Sequence, residues 1–222
     1  MVQMVIDLPR RQAQGREDFM VSSSNLTAMG LLDRWPDWPD RRLALVGPEG
    51  AGKSHMAAIW AAEVGARVLP ARALRSEEVG GLAEAPLVVE DADRGVDEDA
   101  LFHLMNACTG AGQGLLLTGR AAPSDWDVTL PDLASRLAAV TPAVLEDPDD
   151  ALLSVVLLKL FADRQLRVKP ALIGWLLPRM ERSHAAAARL VARMDAAALE
   201  QGADVNVALA RKLMDEAGPG PG

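Results

Sequence analysis

The chain has 222 residues, half of them hydrophobic and 24% charged, with a formal net charge of −8. That length suits one ordinary α/β domain with a small appendage and excludes two full-size domains, while the composition excludes a disordered chain. The acidic balance argues against a surface built to neutralise many phosphates, so strong direct DNA binding is not expected. No apolar stretch approaches the roughly 18 residues that crossing a bilayer requires, and the first residues lack the basic flank and long apolar region of a signal peptide. A cytoplasmic protein without a membrane partner is expected, and the single cysteine, Cys108, reads as a small core residue in a reducing compartment.

In chain order, the run QMVIDL (Gln3 to Leu8) precedes a polar, irregular stretch from Arg10 to Asp18. A helix is predicted from Asn25 to about Trp35, capped by Asn25 or Ser24, and Pro36 and Pro39 break the next stretch into a linker. Leu43–Gly47 is continuously apolar, like a strand buried on both faces of a parallel sheet. A helix from Lys53 to Val64, a weak strand at Arg67–Leu69 and a helix near Leu74 come next. PLVVED supplies the third strand, a helix spans Asp97–Cys108, GLLLTG (Gly114 to Gly119) is the fourth strand and AAVTPAVL the fifth. Strands alternating with helices predict an α/β fold with a five-stranded parallel sheet. After EDPDD only helical spacing remains. Leu152, Val156 and Leu160 recur at i+4, Pro170 opens a short helix ending near Pro178, Ser183 begins an alanine-rich helix, and Val205, Leu209 and Leu213 mark a last one.

The chemistry is carried by GPEGAGKS, which fits G-x-x-x-x-G-K-[ST] between an apolar strand and a helix. Gly47, Pro48, Glu49, Gly50, Ala51 and Gly52 form a loop whose backbone N–H groups hold phosphate oxygens at the positive end of a helix. Lys53 adds a point charge, and Ser54 offers a hydroxyl to Mg²⁺. The plain alternative, a glycine-rich turn without a ligand, does not explain the flanking strand and helix. A second acidic site on a neighbouring strand is needed for the metal, and Glu90 and Asp91 close PLVVED. Glutamate stands where most P-loop ATPases carry aspartate, so the division of roles between Glu90 and Asp91 is left open. Thr118, ending the next strand, places a hydroxyl between the two motifs, near an attacking water.

His55, His103 and His184 share no ligand-like spacing. The five tryptophans are dispersed along the chain and read as packing residues. Asp147, Asp149 and Asp150 read as a hinge and helix cap.

Together these motifs resemble the DnaA/Hda family of AAA+ ATPases, more narrowly its Hda branch of short DnaA homologues that regulate the replication initiator. REDFMVSSSNLTA is similar to that family's F-V-V-G-x-S-N segment along the adenine, with Ser22 replacing the glycine. GPEGAGKSHM resembles its P-loop followed by histidine, here His55, and LLLTG its L-T-S-D strand without the aspartate. LASRLAAVTPAVLEDPDD resembles its L-x-S-R-F segment, which implies that Arg136 is an arginine finger. ERSHAAAARL resembles its lid helix, implying a sensor role for Arg182.

The resemblance implies a P-loop AAA+ fold with a small all-α lid, divided as tail and linker 1–20, base 21–146, lid 147–217 and disordered tail 218–222. It further implies ADP or ATP with Mg²⁺ as ligand, and catalytic roles shared among Arg136, Glu90, Asp91 and Thr118. Gln3, Met4, Ile6 and Leu8 are similar to the hexapeptide Q-[LM]-x-[LI]-x-L that docks on the bacterial sliding clamp. DnaA continues into a DNA-binding domain, whereas this chain ends at KLMDEAGPGPG. The implied function is to promote, with the clamp, hydrolysis of ATP bound to DnaA, with weak turnover of its own and homo-oligomers as a further possibility. A self-contained P-loop ATPase or kinase and a helicase-loader-like protein are the alternatives.

Overall fold

A computed structural model describes Arg16 and residues 19–216. Five parallel strands form one sheet: β1 (Arg42–Val46), β2 (Arg67–Pro70), β3 (Leu87–Glu90), β4 (Leu115–Gly119) and β5 (Thr141–Val144). Their spatial order is β2-β3-β4-β1-β5, which sets β1, β3 and β4 side by side at the centre.

Both sheet faces are covered, which explains why β1, β3 and β4 are nearly continuous in apolar residues. Because side chains alternate along a strand, Leu43, Leu45, Val88 and Leu116 pack on one side with α1 (Leu26–Leu32) and α2 (Lys53–Val64). Ala44, Val46, Leu87, Val89, Leu115 and Leu117 face the other side. There they meet α3 (Val79–Leu82), α4 (Glu98–Ala111) and α5 (Pro131–Ala138). Arg42 begins the buried β1 strand. It is held because its guanidinium donates to the carbonyl of Met105 and the hydroxyl of Thr109, near the end of α4 where a helix dipole favours a cation.

Beyond β5, α6 (Asp150–Asp163), α7 (Pro170–Leu176), α8 (His184–Gln201) and α9 (Val207–Glu216) share a separate core around Leu157, Phe161, Leu176, Val191 and Met194. Asp149 caps α6 by accepting from Leu152 N at 2.7 Å, and Ser183 caps α8 by accepting from Ala186 N at 3.0 Å, as their positions predict.

Three local expectations are corrected. The first helix stops at Leu32, and Asn25 does not cap it: its amide oxygen accepts from Ser22 N at 2.9 Å and its nitrogen donates to Met20 O. That side chain fixes the incoming segment instead. No helix is centred on Leu74, which is fully buried between two short 3₁₀ turns ahead of the one-turn α3. Finally, Trp35, Trp38 and Trp60, dispersed in sequence, gather in one aromatic cluster with centroids 5.1 to 5.4 Å apart.

Candidate functional site

The carboxyl ends of β1, β3 and β4 converge on one rim. β1 runs into the loop Gly47–Gly52, whose last residue begins α2 in the left-handed conformation with φ +103°. Glycine at position 47 is compulsory, since a Cβ there would stand 2.3 Å from the carbonyl oxygen of Leu145. Gly50 has φ +83°, and a Cβ there would stand 2.2 Å from Cβ of Ser183, the cap of α8. The phosphate-type loop and the C-terminal helices are thus in van der Waals contact at that glycine.

Lys53 Nζ donates to the carbonyls of Gly47 and Pro48, at 2.7 Å each, folding the ammonium over the loop. Burial pushes its pKa below the usual lysine range; Asp91 and Asp93 oppose the shift, and Arg120 adds to it. Asp91 and Asp93 therefore present their charge to Lys53. Glu90, the last residue of β3, is half-buried and is not among the groups acting on the ammonium.

Asp91 adopts φ +53°, a conformation costly for a non-glycine residue, and its N–H donates to Thr118 Oγ1 at 2.9 Å. Thr118 is fully buried, so its hydroxyl ties β4 to the turn after β3. Gly119 lies beneath the Trp126 indole, where a Cβ would meet a ring carbon at 2.9 Å. Next, Arg120 donates its backbone N–H to Asp93 at 2.7 Å and pairs its guanidinium with Glu49 in the loop. Asp93 and Arg120 escape sequence reading. The available signal was a third acidic residue two positions beyond Asp91 and a basic one directly after an apolar strand.

Beside Gly50, Gly52, Ser54 and His55 opens a cavity of about 340 Å³. Phe19, Met20 and Asn25 form one wall, and Leu152, Val156 and Leu160 of α6 form another. Phe19 meets His55 edge-on at 5.2 Å, and His184 lies 6.5 Å from His55. Burial, with Lys159 nearby, holds His184 below the usual histidine range. An apolar slot beside a loop of backbone N–H groups matches the two ends of a nucleotide.

Arg182 donates to the carbonyl of Pro148, a residue that lines the cavity, at 3.1 and 2.9 Å and pairs with Asp150 at 2.7 Å. Ser23 donates to Asp149 at 2.8 Å, so the incoming segment, the junction before α6 and the start of α8 are linked. Arg136 is elsewhere. It lies over the Phe102 ring at 5.2 Å, and its charge acts on Arg42 at the start of β1. The loop leaves the other end of that strand, about 15 Å away at the rise of a β-strand. Gln3, Met4, Ile6 and Leu8 lie outside the described residues. Arg16 forms ion pairs with Asp33 and Glu63.

No family model and no curated protein matches the sequence. Solved structures do match. Domain III of the replication initiation protein DnaA from Thermotoga maritima has a TM-score of 0.77 at 15% identity, covering 94% of this chain and 98% of that one. The fold is that of an AAA+ module. AMPPCP-bound DnaA from Aquifex aeolicus has a TM-score of 0.67 at 16% identity over 80% of this chain and 63% of that one. The Thermotoga maritima RuvB Holliday junction branch migration motor has 0.64 at 18% identity, over 78% and 61%. The chain thus spans the single DnaA domain but less than two thirds of these longer DnaA and RuvB chains. In this fold the phosphate-type loop, Asp91, Asp93, Thr118 and Arg120 share one rim of the sheet, while Arg136 lies over Phe102 of α4, with its charge acting on Arg42 at the start of β1.

Proposed function

We propose that this protein is a nucleotide-binding regulator of chromosomal replication initiation, which works with the sliding clamp to promote hydrolysis of ATP bound to DnaA. ADP or ATP occupies the cavity, with its phosphates on Gly47–Ser54 and its base between Phe19 and α6. Mg²⁺ is held by phosphate oxygens, Ser54 and a carboxylate from Glu90 or Asp91, a hard-oxygen donor set suited to that ion. Asp91 and Asp93 act on Lys53 together with Glu49 of the loop, whereas Glu90 does not, which favours Asp91 over Glu90 for that carboxylate.

The observation that carries the reading is the placement of Arg136 over Phe102 of α4, with its charge acting on Arg42, at the end of β1 away from the phosphate loop. An arginine that cannot serve its own nucleotide is available to a neighbour's. A guanidinium supplied in trans stabilises charge on the transferring phosphoryl group and is worth ~10³–10⁵ in rate. The DnaA-like fold makes DnaA a fitting neighbour, and Gln3, Met4, Ile6 and Leu8 supply the clamp contact. Arg136→Ala should keep nucleotide affinity and lose stimulation of DnaA-bound ATP hydrolysis. Full stimulation by that variant would remove Arg136 from the mechanism.

A further inference from the structure

We infer that Glu98 is a positioning residue for Arg136: its carboxylate latches the start of α5 to the start of α4 and so fixes where the Arg136 guanidinium stands. The inference rests on the role proposed for Arg136 on a neighbour's nucleotide and adds the residue that holds it in place.

Helix α5 has little else to orient it. Of its 8 residues only Leu133 and Leu137 are buried, one turn apart along a single line about which so short a helix can pivot. No side chain caps its start, and Pro131 at its first position has no N–H to donate. The N–H groups just ahead of it go to Glu98 instead. Thr129 N donates to both carboxylate oxygens at 3.0 Å, Leu130 N donates at 2.7 Å, and the Thr129 hydroxyl donates at 3.1 Å. These bonds, those from the Thr129 backbone foremost, hold the Glu98 pKa below the ordinary carboxylate value, so the latch is charged at neutral pH. The carboxylate stands between two helix starts, its own in the first turn of α4 and that of α5, and both dipoles favour an anion there.

Phe102, whose ring lies 5.2 Å beneath the Arg136 guanidinium, is one turn beyond Glu98 on α4. One helix therefore carries both the latch and the ring against which the guanidinium rests. Among the described residues no carboxylate pairs with Arg136, so its direction depends on how α5 is seated. A group that must meet a transferring phosphoryl loses rate steeply when displaced by about an ångström.

The test follows hydrolysis of ATP bound to DnaA, with clamp-loaded DNA, while the purified full chain is titrated in. Glu98→Ala should lower the maximal stimulated rate roughly tenfold or more, with the half-saturating concentration unchanged within about twofold. Glu98→Gln, which keeps one acceptor oxygen, should fall between Glu98→Ala and the wild type. An unfolded fraction would instead raise the half-saturating concentration and spare the maximal rate. In an Arg136→Ala background, Glu98→Ala should add no further loss. Hydrogen exchange read by mass spectrometry, which needs no partner, should show the amides of 129–138 exchanging faster in Glu98→Ala. Unchanged exchange there, or full stimulation by Glu98→Ala, would overturn the role of Glu98. A wild-type chain that stimulates nothing, while exchange still responds to Glu98→Ala, would instead overturn the function proposed for Arg136.

Discussion

Gly50→Ala tests whether the phosphate-type loop and the C-terminal helices are mechanically joined. Alanine at φ +83° incurs the left-handed penalty of about 1–2 kcal/mol, and its Cβ would overlap Ser183 Cβ at 2.2 Å, an atom with no freedom to rotate away. Relief requires α8 to withdraw. Ser183 caps that helix and is 1% exposed, so its displacement adds about 1 kcal/mol, for a total near 2–3 kcal/mol. The matched control is Gly52→Ala, which has φ +103° and nothing within 4 Å of the added carbon, and so incurs the backbone term alone. Adding Ser183→Gly to Gly50→Ala deletes the clashing carbon, and glycine is a tolerable cap, so the pair should recover most of the excess. Urea unfolding followed by circular dichroism measures all three. Equal losses for Gly50→Ala and Gly52→Ala, with no recovery in the pair, would refute the contact.

Thr118→Val leaves the Asp91 N–H without its acceptor and should cost about 1–3 kcal/mol, whereas Thr118→Ser, which keeps the hydroxyl, should cost much less; thermal melts separate them. Burial raises the Cys108 thiol to about 11, above its ordinary value. In the window from that ordinary value up to about 11 the unfolded chain has lost the proton that the folded chain retains, so stability should fall as pH rises. Cys108→Ala should lack that part of the alkaline slope in urea midpoints, and identical slopes would contradict it. Gln3→Ala combined with Leu8→Ala should abolish clamp binding in surface plasmon resonance with nucleotide affinity unchanged; undiminished clamp affinity would detach QMVIDL from the proposed function.

The sheet and the phosphate-type loop were legible because their signals are local. Buried parallel strands are apolar runs, and GPEGAGKS carries its own turn geometry. The helical caps at Asp149 and Ser183 were legible for the same reason. The rest of the rim was not, because it is assembled across strand neighbours. Asp93 meets Arg120 across 27 positions, and Thr118 meets Asp91 across the same span. No periodicity records such a pairing. Leu74 misled because one buried leucine between short turns has the same appearance in sequence as one on a helix. Asn25 stands where a cap belongs but spends its amide on Ser22 and Met20, a choice set by the folded segment that lines the cavity. Arg182, read as a sensor, binds Pro148 and Asp150, placing it at the junction that links the P-loop side to the helices.

The central claim is that this protein acts on a nucleotide held by another protein. The most direct measurement follows hydrolysis of radiolabelled ATP bound to DnaA, in the presence of clamp-loaded DNA, with and without this protein. The account predicts that ATP on DnaA is converted to ADP rapidly only when the protein and the clamp are both present, with little turnover by the protein alone. DnaA-bound ATP that decays at the same rate with and without it, alongside substantial turnover by the isolated chain, would contradict the account and favour a self-contained ATPase.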